Sequence, residues 1–223
     1  MGIAIYPFAI QTILSFCEGN YLFIAINREW KNTYILLFKK TETRIGPCSP
    51  QQIECAVKAG YVLSYKSMGL AAKLGNFEVM KWLHKNDCSW HEWTCAWAAK
   101  GGYFEILKWA RANGCPWDKW TCADAASGGH LEILKWARIN GCSWNEETCT
   151  QAALNGHLEI LKWARKNNCP WSLSTCEYAA LNGHLEVLKW ARANGCPWNS
   201  TYICATFGGH LHILQWAREN GCP

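Results

Sequence analysis

An all-α solenoid of stacked helix–turn–helix units is the fold class that this sequence predicts, and three observations predict it. A 27-residue block, C-[PS]-W-x-x-x-x-C-x-x-A-A-x-x-G-H-L-E-I-L-K-W-A-R-x-N-G, recurs with copies beginning at Cys88, Cys115, Cys142 and Cys169. A fifth copy, one residue shorter, begins at Cys196, and the second half of an earlier one spans Ala71 to Asp87. Within each copy, apolar residues return at helical spacing and glycines interrupt them twice. A fixed period of about 20–50 residues marks a repeat array. Each unit in such an array buries its apolar face only against its neighbours.

Residues 1–45 do not share the repeat and read as a helical N-terminal segment. The opening IAIYPFAIQTILSF is apolar, yet it lacks a basic lead-in and a small-residue cleavage site, so it reads as folded protein and not a signal peptide. The pattern Y-P-F-A-I-Q-T-I-L-S-F, followed by I-A-I-N-R-E-W, resembles an F-box through Pro7, Ile10, Ile13, Leu14, Phe16, Leu22, Ile26, Asn27, Arg28 and Trp30. That resemblance implies docking to the Skp-type adaptor of a cullin ubiquitin ligase, with Pro7, Ile10, Ile13, Leu14, Phe16, Leu22 and Trp30 as adaptor-binding residues. Ala9 stands where the F-box pattern carries an acid, and two spacings are shorter by one or two residues. A second reading stays open: helices within residues 5–40 that only cap the first repeat. Residues 46–67 read as a linker and degenerate partial repeat. Pro47, Ser49 and Pro50 mark a turn there, and Cys55 to Tyr61 is a worn fragment of the block.

The array proper is expected over residues 68–223, and the copy from Cys115 to Gly141 shows its logic. Pro116 and Trp117 make a stiff turn, and Asp118 is a natural N-cap. His91, Asn145, Ser172 and Asn199 hold the same place in the other copies. Residues 119–127 read as a short helix with Cys122, Ala125 and Ala126 on one face, side chains small enough for helices to approach closely. Gly128 and Gly129 end it. A second helix runs from about Leu131 to Asn140, with Leu131, Ile133, Leu134, Trp136 and Ala137 forming an apolar stripe. Glu132, Lys135 and Arg138 lie on its opposite side, and Gly141 supplies the left-handed C-terminal residue.

Eleven of the fourteen cysteines belong to the repeats, most of them at two fixed positions. Equivalent positions of stacked helices lie about 8–10 Å apart, whereas a disulfide needs Cα atoms within about 7 Å. Reduced cysteine behaves as a small buried hydrophobe. The usage therefore fits thiols in a reducing compartment, with a bridge inside one copy, such as Cys115 to Cys122, left open.

The stretch G-H-L-E-I-L-K-W-A-R-x-N-G resembles the second helix of ankyrin repeats at Gly129–Gly141, Gly156–Asn168 and Gly183–Gly195, and A-A-x-x-G matches the end of their first helix. Ankyrin repeats run to 33 residues and carry a β-hairpin finger, here shortened to C-P-W-x. Trp109, Trp136, Trp163, Trp190 and Trp216 take a place where ankyrins carry an aliphatic residue. The chain is similar to the short Trp- and Cys-rich ankyrin proteins of large DNA viruses of amoebae. That resemblance implies a protein-binding module without catalytic, metal or cofactor sites, working in the cytoplasm or nucleus of an infected host cell.

Positions that change from copy to copy on one face are free to carry specificity. Trp97, Asp124, Gln151 and Tyr178 form one such column of the first helix, and Trp93, Trp120, Glu147 and Ser174 another. The two lie four residues apart, hence on one face. These eight are the candidate partner-binding residues, with an aromatic end and an acidic middle facing a protein ligand. Clustered tryptophans are typical of binding hot spots.

Other constellations carry less. His130, His157, His184 and His210 recur at the spacing of a ladder, about 10 Å per step, far beyond a Zn–N bond of about 2 Å, and read as partners of helix ends. There is no C-x-x-C or H-E-x-x-H motif. No apolar run reaches the roughly 18 residues of a membrane span. Lys108, Lys135, Lys162 and Lys189 align with Arg111, Arg138, Arg165, Arg192 and Arg218 as a basic stripe that would follow phosphates, though such a stripe is more often a solvated helix face. The last copy lacks a distinct polar cap, so self-association through an open C-terminal end, or a plain scaffolding role, is the rival expectation.

Overall fold

Small residues set the spacing of the first helices, and a second set of larger apolar residues fills the space behind them. The computed structural model describes residues 49–58 and 63–222. Among the described residues it is all helical, with thirteen helices and no strand. The predicted solenoid of helix pairs is what forms. The chain divides between Ser89 and Trp90 into two compact units. In the first, α1 spans Pro50–Lys58, α2 Tyr65–Lys73 and α3 Phe77–Lys85. The α2/α3 pair buries Met68, Ala71 and Ala72 against Val79, Met80 and Leu83. Asn76 caps α3, its side chain accepting from the Val79 N–H at 3.2 Å.

The second unit holds five pairs. These are α4 (Glu92–Lys100) with α5 (Phe104–Ala112), α6 (Lys119–Ser127) with α7 (Leu131–Ile139), and α8 (Glu146–Leu154) with α9 (Leu158–Lys166). Then come α10 (Leu173–Leu181) with α11 (Leu185–Ala193) and α12 (Thr201–Gly208) with α13 (Leu211–Glu219). On the first helices, Thr121, Cys122, Ala123, Ala125 and Ala126 are fully buried, as are their counterparts Thr148, Cys149, Ala152 and Ala153. Leu107, Leu134, Leu161 and Leu188 form a fully buried column on the second helices. Burial of each such leucine stabilises the fold by about 1.5–3 kcal/mol.

Three recurring contacts lock one pair onto the next. His157 Nε2 donates to the Ser127 carbonyl at 3.2 Å, and His130, His184 and His210 make the same bond to Lys100, Leu154 and Leu181. These are the orphan carbonyls at the ends of the preceding first helices, so the histidines serve helix ends as expected. The imidazole also fixes the glycine before the preceding copy's histidine: Gly129 has φ +80°, and a Cβ there would lie 2.8 Å from His157 Cε1.

The second contact replaces the missing hairpin. Arg138 donates to the Cys142 carbonyl and lies 4.2 Å over the Trp144 ring. Trp144 in turn meets Trp163 edge-on at 5.8 Å. The triads Arg111–Trp117–Trp136, Arg165–Trp171–Trp190 and Arg192–Trp198–Trp216 repeat this arrangement. Each is a cation–π contact joined to a ring–ring contact.

The third contact corrects the cysteine argument. Equivalent cysteines are not the relevant neighbours. The first-helix thiol of one copy meets the leading thiol of the next, with Cys95 Sγ donating to Cys115 Sγ at 3.3 Å. Cys122 is likewise the neighbour of Cys142, Cys149 of Cys169 and Cys176 of Cys196. All eight are unbridged thiols and buried. The leading thiols also donate onward: Cys142 to the Asp118 carbonyl at 3.2 Å and Cys169 to the Asn145 carbonyl at 3.3 Å.

Two further expectations change. Asp118 caps α6 by accepting from the Trp120 N–H, and His91 does the same for α4. Asn145 and Ser172 make no side-chain cap bond. In the fifth copy the one-residue deletion falls before α12, so the N-cap passes to Ser200. His210 N bonds to Ala205 O as His184 N does to Ala179 O. Thr201 therefore matches Thr175, Tyr202 takes the place of Cys176, and Cys204 that of Tyr178.

The turn after each second helix needs a left-handed residue. Gly141 supplies it with φ +83°, but Asn168 holds the same place at φ +62°. Asn168→Gly should raise stability by about 0.5–1 kcal/mol, because glycine enters this region without a Cβ penalty. His157→Ala should cost about 1–2 kcal/mol by orphaning a helix-end carbonyl. Urea unfolding of the two variants checks both signs.

Candidate functional site

First helices of the second unit pack directly on one another, while successive second helices are joined through the Arg–Trp–Trp bridges. An array spaced more tightly along one side bends toward that side, so the first helices line its inner face. The eight candidate residues lie on four successive first helices, α4, α6, α8 and α10.

At the α4 end, Trp93 and Trp97 bring their rings to 5.9 Å. Trp93 is 47% exposed and Trp120, one helix on, 41%. The Lys119 ammonium lies 6.0 Å from the Trp120 ring centroid. Trp97, Asp124 and Gln151 are half-buried, whereas Tyr178 is exposed. Glu147 and Ser174 are half-buried on α8 and α10. The structure thus places the aromatic group and Asp124 on the adjacent helices α4 and α6, and it strings Glu147, Gln151, Ser174 and Tyr178 along the next two. The adaptor-binding set of Pro7, Ile10, Ile13, Leu14, Phe16, Leu22 and Trp30 lies outside the described residues.

Asp124 is the electrostatic centre of this face. Burial pushes its carboxyl above the usual aspartate range, and Lys100 opposes that shift from 3.5 Å away.

No family model matches the chain, and no curated protein matches it. Among solved structures, the crystal structure of the human ASB11 ankyrin repeat domain is similar, with a TM-score of 0.55 at 14% identity. The likeness covers 70% of this chain and 84% of that one. The fold is that of an ankyrin repeat domain.

Against that ankyrin frame, two contacts on the inner face were missed from sequence. Lys100 reaches from the end of α4 to Asp124 on α6. Asn155 at the end of α8 donates to Ser127 Oγ at 3.2 Å and to its own helix at Gln151 O. Both tie the ends of consecutive first helices together. The offset of 24 residues between Lys100 and Asp124 is the ankyrin period of this chain less one helical turn, the signal that would have paired them.

The outer basic stripe is largely occupied. Lys108, Lys135, Lys162 and Lys189 pair with Glu105, Glu132, Glu159 and Glu186 three residues earlier. Arg111, Arg138, Arg165 and Arg192 are committed to carbonyls and tryptophan rings. That leaves little free charge for phosphates, which bind in proportion to the charges they neutralise. Among the described residues no cluster of three or more His, Cys, Asp or Glu could hold a metal ion, and no helix is long and apolar enough to cross a membrane.

The raised Asp124 pKa has a definite sign. A carboxyl that binds its proton more tightly in the folded state makes stability fall as pH rises from about 4, its unfolded value, through the folded value. Asp124→Asn should therefore leave the array at least as stable as the parent at pH 7, with the gap closing toward pH 4. Urea midpoints at the two pH values test this, and a variant less stable at pH 7 would show the Lys100 pair to be the stronger effect.

Proposed function

We propose that the first-helix face binds an extended segment of a partner protein carrying apolar anchors beside basic groups. One observation carries this reading. Two tryptophans on consecutive helices stand almost half open to water, next to a carboxylate kept half-buried against its own desolvation. Trp93, Trp97 and Trp120 would receive the apolar anchors. Asp124 and Glu147 would meet the basic ones, and Gln151, Ser174 and Tyr178 would extend the contact along the array. The protein acts by holding, not by chemistry, in a reducing compartment of the cell that contains it.

The F-box-like segment says how such a module would be used. We infer a substrate receptor: residues 1–45 engage a Skp-type adaptor while the array presents the captured protein to a cullin ubiquitin ligase. Support for this lies in the sequence pattern from Pro7 to Trp30. A scaffold reading has an observation of its own. On the α12/α13 pair, Ile203, Phe207 and Leu211 are 56%, 81% and 77% exposed, an apolar face that a second copy would cover. Sedimentation at two concentrations separates these readings: a concentration-dependent dimer supports the scaffold.

A random peptide library displayed on phage and panned against the full chain should yield sequences mixing aromatic or aliphatic residues with Lys or Arg. Their affinity should fall at least tenfold, about 1.4 kcal/mol, in Trp93→Ala and Trp120→Ala. Peptides indifferent to both substitutions would contradict the inner-face reading. Mixing the full chain with a Skp-type adaptor should give one co-eluting complex on size exclusion, lost in the double variant Ile10→Asp/Leu14→Asp. No complex with the parent would leave residues 1–45 as a cap.

A further inference from the structure

Each interface between consecutive helix pairs of the second unit, up to the α10/α12 step, sets two buried cysteines beside each other. At the first interface the sulfurs of Cys95 and Cys115 are 3.3 Å apart. The same sulfurs are neighbours at Cys122–Cys142, Cys149–Cys169 and Cys176–Cys196. Closing such a pair to a disulfide of about 2.05 Å requires the sulfurs to approach by roughly 1.2 Å, within the reach of a side-chain rotation and a slight shift of one helix. The register shift in the last copy is informative: where Tyr202 replaces the first-helix cysteine, the pairing stops, and Cys204 is carried onto another face of α12.

We propose that the four buried thiol pairs, Cys95/Cys115, Cys122/Cys142, Cys149/Cys169 and Cys176/Cys196, are oxidation sites at which a hydroperoxide converts each pair to a disulfide that staples one repeat to the next. The two sulfurs of a pair have unlike roles. The neighbouring sulfur and burial hold Cys122, Cys149 and Cys176 protonated. The leading cysteine, which lies in the turn ahead of the next first helix and not within a helix, is assigned as the nucleophile. Its thiolate attacks one peroxide oxygen, the O–O bond breaks, and the departing alkoxide takes up the proton the thiol released, giving a sulfenic acid and an alcohol. The partner sulfur then attacks the sulfenic sulfur. The S–S bond forms, the S–O bond breaks, and the hydroxide leaves as water with the partner's proton. Two electrons pass from the sulfur pair to the peroxide in each event.

These bridges link residues 20 positions apart, and each removes freedom from the unfolded chain. The oxidised array should resist unfolding better than the reduced one and move less between repeats. Because each repeat contacts only its neighbours, four staples act at four separate interfaces, which makes this a graded response to oxidant.

Peptide mapping of the full chain tests the assignment. Reduced protein is treated with hydrogen peroxide, residual thiols are alkylated in denaturant, and tryptic peptides are read by tandem mass spectrometry. The expected cross-links are Cys95–Cys115, Cys122–Cys142, Cys149–Cys169 and Cys176–Cys196, with Cys204 and Cys222 alkylated. The unfolding temperature should rise by several degrees and return on reduction. In Cys122→Ala, dimedone should trap a sulfenic acid at Cys142 that the parent does not retain. Cross-links in other combinations, or paired thiols that remain alkylatable after peroxide while the half-buried Cys204 and Cys222 oxidise, would overturn the proposal.

Discussion

Close approach of the first helices is the constraint on which the remaining structure depends. Ala125, Ala126, Cys122 and Thr121, with their counterparts one period along, leave nothing larger than a thiol or a methyl group between neighbouring backbones. That proximity brings Lys100 to Asp124, the histidine ring to the preceding helix end, and one copy's thiol to the next. It also dictates curvature, because second helices bearing Leu, Ile and Trp cannot approach as closely. The Arg–Trp–Trp bridges fill the wider spacing on the outer side. A repeat without a hairpin finger keeps its register through these side chains instead of through strand pairing.

Stability rests on some columns of these helices, and the binding face we propose uses others. The columns that touch the next repeat scarcely vary: threonine, cysteine and paired alanines recur, and where they fail in the last copy the register itself has shifted. The columns facing inward, from Trp93 and Trp97 to Ser174 and Tyr178, change chemistry at every step but the one from Trp93 to Trp120. Asp124 lies at the boundary. It is buried enough to be electrostatically unfavourable and is only partly relieved by Lys100, which accords with the recognition role proposed for it.

The period, the helix bounds and the alternation of small and large faces were legible in the sequence because each is a local rule repeated five times. The predicted helix at 119–127 forms over those residues, and the second begins at Leu131. The histidine role followed from its place beside a glycine. The thiol pairing did not follow, since period arithmetic compares a residue with its equivalent, whereas stacked helices bring together residues offset by two turns, as Cys122 and Cys142 show. The caps were read too generously for the same kind of reason. An Asn or Ser at the N-cap bonds the helix only if its rotamer turns back to it, and Asn145 Oδ1 is instead buried without a hydrogen bond.

Placing a larger side chain between two first helices tests the central constraint most directly. Ala152 is fully buried on α8, and Ala152→Leu adds three carbons where neighbouring backbones approach each other. Equilibrium urea unfolding of this variant beside Ile139→Ala, at a site 84% exposed, gives the comparison. The account predicts a loss of about 2–3 kcal/mol or more for Ala152→Leu, as overpacking demands, and no measurable change for Ile139→Ala. An Ala152→Leu array as stable as the parent would contradict it, because the first helices would then have room that close stacking forbids.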